Sequence, residues 1–183
     1  MDFKKVLAII LKNFAEQQID YAFIGGFAIG ALGMMRNTTD LDLLVNKHDL
    51  GKIDQILANH LYRLRYRSEN VSQYVSDLEP FGSIDLLHAF RSHTLAMLKR
   101  TRKIPIFQGQ YEIPVLIPED LIGLKLQAMI NNPERQTMEQ ADIEGLMRMF
   151  YATLDWQIVA AYFDLFNLSK QFEELKTKYG HPQ

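Results

Sequence analysis

Between Asp40 and Val45 the chain reads DLDLLV, and no other segment limits its folding choices so strongly. Successive side chains of a strand point to opposite faces, so Asp40 and Asp42 share one face while Leu41, Leu43 and Val45 take the other. Two carboxylates held that close repel one another unless a cation lies between them, and hard divalent ions prefer oxygen ligands of this kind. A solvated strand end could carry the same pair without function. The segment therefore gains meaning only from a second signal.

That signal lies upstream, where Tyr21–Ile24 reads as a short strand, Gly25 and Gly26 as a turn, and Phe27–Met35 as a short helix. Glycines at a helix start leave backbone N–H groups uncovered by any Cβ, a place where phosphate oxygens can approach. The spacing is not a dinucleotide-binding fingerprint, since Phe27 stands where the second glycine would be, and no Lys-Ser/Thr follows as in a P-loop. A third carboxylate stands in Gly82-Ser83-Ile84-Asp85-Leu86-Leu87. Asp85 sits between apolar neighbours, and an isolated buried carboxylate is costly unless it is paired or metal-bound.

Around these segments, apolar spacing predicts helices over Phe3–Gln18, with Asp2 as N-cap, and over Lys47–His60. Strands are expected at Leu41–Val45, Tyr62–Tyr66, Val71–Val75, Ser83–Ala89, Ile104–Phe107 and Glu112–Leu116, with a helix running to Arg102 and a hairpin at Gln108-Gly109-Gln110. In Tyr62–Tyr66 the alternation sets Arg63, Arg65 and Arg67 on one solvent face and Tyr62, Leu64 and Tyr66 on the other. After Pro118 only helices are expected: Pro118–Ile130, Glu134–Phe150, Leu154–Leu165 and Ser169–Tyr179. The fold class is α+β, a mixed and mostly antiparallel sheet with flanking helices. Its expected division is an α/β core over residues 1–116 and a helical segment over 117–183 packed on that core.

The chain has 183 residues and no cysteine, which excludes thiolate zinc sites, disulfides and cysteine nucleophiles together. Its five histidines include no i, i+4 pair. Lys4 and Lys5 precede an apolar run too short for a signal-peptide core, and Tyr21–Met35, the longest uncharged stretch, is too short to span a bilayer, so the expectation is a cytoplasmic protein without membrane attachment. A formal charge of -2 gives no whole-molecule field for a polyanion. Nucleic acid is accordingly a minor expectation, resting on Arg63, Arg65 and Arg67 and on Lys99, Arg100, Arg102 and Lys103.

The strand, Gly-Gly turn, helix and Asp-Leu-Asp strand together resemble the nucleotidyltransferase superfamily with the DNA polymerase beta-like fold. Resemblance implies that Asp40, Asp42 and Asp85 hold Mg²⁺ or Mn²⁺, that Asp85 accepts the proton of the attacking hydroxyl, and that Gly25 and Gly26 hold the phosphates of an NTP, with ATP the first candidate. Arg36-Asn37-Thr38-Thr39-Asp40-Leu41-Asp42 is similar to the R-x-T-x-D-x-D form of small bacterial and archaeal members, including those linked to toxin–antitoxin operons. That similarity adds Arg36 and Thr38 to the nucleotide site and allows a protein partner from such a pair. In the same members a lysine on the helix after the hairpin reaches the triphosphate, which here is Lys125. The bare sequence adds that Leu121, Ile122, Leu124, Leu126, Met129 and Ile130 make this helix apolar nearly all round, so a lysine within it needs a partner. The resemblance has departures: Gly26 replaces a common serine, and Arg135–Ile143 lacks a lysine and carries Glu139 in place of an aspartate. The implied activity is transfer of an NMP group to an acceptor hydroxyl on a protein, an RNA end or a small molecule. The alternative is a catalytically weak nucleotide-binding or antitoxin-like module that binds a partner.

Overall fold

The computed structural model describes residues 1–180, and the last three residues of the expected helical segment lie outside them. The chain divides into two compact units, Met1–Leu116 and the residues from Ile117 onward.

The first unit is a seven-stranded sheet with helices. In chain order it contains α1 (Phe3–Glu16), β1 (Tyr21–Ile24), α2 (Gly25–Ala31), β2 (Asp40–Asn46), α3 (Leu50–Asn59), β3 (Arg63–Arg67), β4 (Val71–Val75), β5 (Ser83–Ala89), α4 (Ser92–Leu98), β6 (Thr101–Ile106) and β7 (Tyr111–Leu116). The spatial order is β3-β4-β5-β2-β1-β7-β6. β2–β5 and β1–β7 run parallel and the other four pairings antiparallel. The mixed, mostly antiparallel sheet is the one the sequence predicts.

Period-2 alternation sorts the central strands into two faces. Phe23, Leu41, Leu43, Val45 and Leu86 point to a helix face and are almost fully buried. The Phe14 ring of α1 meets Tyr21 edge-on there at 5.0 Å. α3 reaches the same face through Asp54, which accepts from Tyr74 on β4 at 2.5 Å and from Arg67 on β3 at 2.7 Å. Asp2 caps α1 by accepting from the Lys5 amide.

Several local readings change, and the short helix expected over Phe27–Met35 is one of them: it spans Gly25–Ala31, taking both glycines into its first turn. The helix predicted over Lys47–His60 opens with a 3-10 turn, Lys47–Asp49, before α3. The helix expected to run to Arg102 stops at Leu98, and β6 starts at Thr101. β6 is an edge strand that leaves Arg102 and Lys103 in solvent, so its charges mask its strand character. A further change concerns β3. A β-bulge between Leu64 and Tyr66 leaves Arg65 as the extra residue, so Leu64 pairs with Tyr74, Tyr66 with Gln73 and Arg67 with Ser72. A one-residue slip moves the following side chains to the other face. Arg67 therefore crosses to the helix face and bonds Asp54, Ser72 and Tyr74, while Tyr66 crosses the opposite way.

The second unit contains α5 (Pro118–Asn131), α6 (Gln136–Phe150), α7 (Trp156–Leu165) and α8 (Ser169–Tyr179). Pro118 starts α5 at its first turn, where a missing N–H costs nothing. Gly123 brings α7 close, since a Cβ there would lie 2.7 Å from the Tyr162 ring, and the Tyr162 hydroxyl donates to Asp120 at 2.7 Å. Among the described residues no helix is long and apolar enough to cross a membrane.

Candidate active site

The register of the sheet builds the site. Asp42 on β2 stands opposite Ile24 on β1 and Asp85 on β5, and Asp85 stands opposite Gln73 on β4. One row across the sheet therefore runs Ile24, Asp42, Asp85, Gln73, Tyr66, all on the face opposite the helix face. Asp40 lies on the next row of this carboxylate face, beside Ser83. Asp40, Asp42 and Asp85 each offer an oxygen within 4.8 Å of the others.

The surroundings hold each carboxylate differently. Thr38 Oγ1 donates to Asp40 Oδ1 at 2.8 Å, which fixes that carboxylate from the loop before β2. Gln73 Nε2 donates to Asp85 Oδ2 at 3.4 Å, while Asp85 Oδ1 is buried without a hydrogen-bond partner among the described residues. Burial pushes the Asp85 carboxyl above its ordinary range and the Asp40 charge adds to that push, with the Gln73 bond and the Arg65 charge opposing it.

The glycines are fitted to this cluster. Gly25 has φ +64°, and a Cβ there would lie 1.9 Å from Asp42 Oδ2. A Cβ on Gly26 would lie 3.1 Å from Thr38 Cβ and Oγ1 and 3.5 Å from Arg36 Cγ. The glycine pair that opens α2 thus meets two distinct requirements: a left-handed backbone pressed on Asp42, and close approach to the Arg36–Thr38 loop. Gly82, at φ +64°, leads the chain into β5 and Asp85 in the same way.

The carboxylates, the glycine pair, Arg36 and Thr38 are brought together in the first unit. Lys125 belongs to the second. There its ammonium is nearly buried between Glu139 Oε2 at 2.7 Å and Asp142 Oδ2 at 2.8 Å, and Arg135 reaches Glu139 Oε1 at 2.7 Å. These are the partners that an apolar helix demands of a lysine, and Glu139 is the residue at which the chain departs from the resemblance. The two basic groups behind the nucleic-acid expectation lie at opposite ends of the sheet: Arg63, Arg65 and Arg67 are on β3, and Arg102 and Lys103 are on β6. They form no continuous basic surface.

Sequence reading missed Gln73, Arg65 and Tyr66 as neighbours of the carboxylates. An alternating strand gives no sign of a bulge, and the partner of Asp85 is set by strand pairing. The donor set suits a hard divalent cation, since it is all carboxylate oxygen and includes a buried oxygen that lacks a partner.

Residues 4–175 match the model of a family described as uncharacterised nucleotidyltransferase. Among solved structures, the solution structure of the antibiotic-resistance factor ANT(2'')-Ia is similar with a TM-score of 0.69 and 16% identity over 100% of both chains. An antigenic nucleotidyltransferase-like protein from Paracoccidioides brasiliensis gives 0.60 and 16%, covering 96% of this chain and 91% of that one. The lincomycin-bound lincosamide antibiotic adenylyltransferase LnuA gives 0.55 and 16%, covering 78% and 95%. At such identities the structural likeness speaks for the fold alone. No curated protein matches the chain in sequence.

Proposed function

The chain belongs to this nucleotidyltransferase family, and from that premise we propose that it transfers an NMP group from an NTP, ATP being the first candidate, to an acceptor hydroxyl at the Asp40–Asp42–Asp85 cluster. One observation carries the proposal: three carboxylates converge within 4.8 Å, and one of their oxygens, Asp85 Oδ1, is buried without a hydrogen-bond partner. Leaving such an atom unsatisfied costs about 1–3 kcal/mol, a cost that a cation held by the three carboxylates would remove.

In this reading Asp40, Asp42 and Asp85 hold Mg²⁺ or Mn²⁺. The bound cation would supply charge neutralisation for the transferred phosphoryl group. Gly25 and Gly26 admit the phosphates beside Asp42, with Arg36 and Thr38 bordering them. Thr38 keeps Asp40 oriented through its 2.8 Å bond. Asp85 takes the acceptor hydroxyl's proton as that oxygen attacks the α-phosphorus and pyrophosphate leaves with the electrons of the broken P–O bond. Burial of Asp85 makes it a stronger base than an ordinary aspartate, which suits the role.

The test measures Mn²⁺ binding and pyrophosphate release from each NTP in the parent and in Asp42→Asn. The parent should bind the ion and release pyrophosphate. Asp42→Asn should lose about a hundredfold or more in rate, as removal of a transition-state charge partner does. Ion and nucleotide binding without turnover in the parent would return the chain to the binding-module alternative.

A further inference from the structure

Acceptor chemistry can be read from the part of the carboxylate face that lies beyond Asp85. The strand order puts β1 and its glycine turn on one side of Asp42 and Asp85, and β4 and β3 on the other. If the phosphates of the NTP lie against Gly25 and Gly26, a hydroxyl that gives its proton to Asp85 approaches over β4 and β3. Gln73, Tyr66, Arg65 and Arg63 are what it meets there.

The bulge decides how these side chains are presented. Arg65 and Tyr66 together oppose the single residue Gln73, so both point to the carboxylate face. Arg65 thus stands beside the strand pair that carries Gln73 and Asp85, and it forms no ion pair among the described residues. Tyr66 is 56% exposed in the same row as Asp42 and Asp85. Arg63 pairs with Val75, opposite Ser83 and Asp40 on the neighbouring row, and its one charge partner among the described residues, Asp77, is 81% exposed and readily displaced. Gln73 uses one amide N–H on Asp85 and keeps a second N–H and its carbonyl. Charges alone would be the ordinary protection of an edge strand. That explanation leaves out an exposed aromatic ring in the carboxylate row and a bulge that turns a cation toward Asp85.

We propose that Arg63, Arg65, Tyr66 and Gln73 form the acceptor subsite, and that the acceptor is the 3′-terminal nucleotide of a single strand of nucleic acid. The inference rests on the nucleotidyl-transfer reading and deepens it. An exposed ring offers a stacking platform for a base, and arginines beside it meet phosphates, the combination by which single strands are held without sequence preference. A polycationic acceptor would meet two arginines instead. In the step itself the 3′-oxygen attacks the α-phosphorus of the NTP, its proton passes to Asp85, and pyrophosphate departs, leaving the strand one nucleotide longer.

The experiment follows a 5′-labelled short single-stranded RNA and its DNA counterpart on denaturing gels with Mg²⁺ and each NTP. A polycationic aminoglycoside and a protein mixture serve as rival acceptors, and fluorescence anisotropy of the labelled strand gives affinity without turnover. Extension by the parent is expected, with RNA or DNA preference showing which strand is used. Arg65→Ala and Tyr66→Ala should each weaken strand affinity and raise the strand KM about tenfold. The KM for NTP should stay within about twofold, and the melting temperature within about 2 °C, because both positions are exposed. Nucleotidylation of the aminoglycoside or of a protein, with no strand extended, overturns this inference and leaves nucleotidyl transfer standing. Equal strand affinity and KM in the parent and both variants also overturns it. Absence of Mn²⁺–NTP binding and of pyrophosphate release, or an Asp42→Asn variant as active as the parent, overturns the nucleotidyl-transfer reading and this inference with it.

Discussion

Replacing Gly25 by alanine should disable the carboxylate cluster without changing a carboxylate. The new Cβ would lie 1.9 Å from Asp42 Oδ2 and 2.5 Å from its Cγ, so the Asp42 side chain has to retreat by roughly 1 Å. Misplacement of a reacting group on that scale costs about a hundredfold in rate. The backbone penalty is smaller, because holding an L-residue in the left-handed region found at Gly25 costs about 1–2 kcal/mol. For a chain of this length that corresponds to a fall in melting temperature of roughly 2–8 °C. Pyrophosphate release, Mn²⁺ affinity and thermal unfolding are the three measurements, with Gly30→Ala as control. Gly30 lies in the same helix with nothing within 4 Å of its would-be Cβ, so that change should be neutral or stabilising by up to about 1 kcal/mol. The double variant Gly25→Ala/Asp42→Asn separates two effects: a rate equal to that of Asp42→Asn means that the methyl group acts through Asp42, and a slower one that it also obstructs the phosphates Gly25 admits. Parental turnover and ion affinity in Gly25→Ala would refute the steric argument. A further hundredfold loss on top of Asp42→Asn would show that the methyl group blocks something other than Asp42.

Three other outcomes test separate parts of the molecule. Asp85→Asn should melt at or above the parent temperature at neutral pH without metal: a carboxyl whose pKa is raised on folding supports stability below its unfolded pKa and loses that support as pH rises through the folded value, and the amide removes this loss. A clear drop in melting temperature would contradict it. Lys125→Met removes the ammonium that Glu139 and Asp142 share in the interior and should cost about 3–5 kcal/mol, read in urea from the single tryptophan, Trp156 in α7. Adding Glu139→Gln and Asp142→Asn should recover most of it, and a single variant within about 1 kcal/mol of the parent would refute the pairing. Burial holds His88 below the ordinary histidine range; its Nδ1–H donates to the Glu69 carbonyl at 2.9 Å and its Nε2 accepts from Ser72 at 2.8 Å, with Arg67 and Lys47 disfavouring a proton and Asp54 favouring one. Stability should therefore fall as pH drops below the unfolded value of about 6.5 and level off beneath the folded pKa, and His88→Gln should flatten that part of the curve.

The order in which the chain yields its information follows the range of the forces involved. Alternation in DLDLLV and the glycine pair are local, so Asp40, Asp42, Gly25 and Gly26 were legible in sequence, as was the fate of the apolar helix that carries Lys125. The need of Lys125 for a partner was also legible, because an apolar surround forbids a bare ammonium. That the partners are Glu139 and Asp142 depends on how α5 packs against α6, which no local pattern specifies.

The β3 strand shows the limit most clearly. A period of two predicts one face for Arg63, Arg65 and Arg67, and it fails at a single inserted residue. What selects the bulge is tertiary: Arg67 gains a two-pronged bond to Asp54 and a bond to Ser72 only by crossing to the helix face, and although burial pushes the Asp54 carboxyl up, the bonds from Arg67 and Tyr74 hold it below the usual carboxylate range. The same slip brings Tyr66 into the row of Asp42 and Asp85. One arginine anchored on the helix side of the sheet thus determines which side chains the opposite face presents beside Asp85. Without its carboxylate partner Arg67 loses the reason to cross, so Asp54→Ala should loosen the register of β3 and weaken acceptor binding at Tyr66, although Asp54 lies on the far face. Hydrogen exchange over Arg63–Arg67 together with the acceptor KM measures this coupling, and an unchanged pair of values would show that the bulge is fixed by the strand itself.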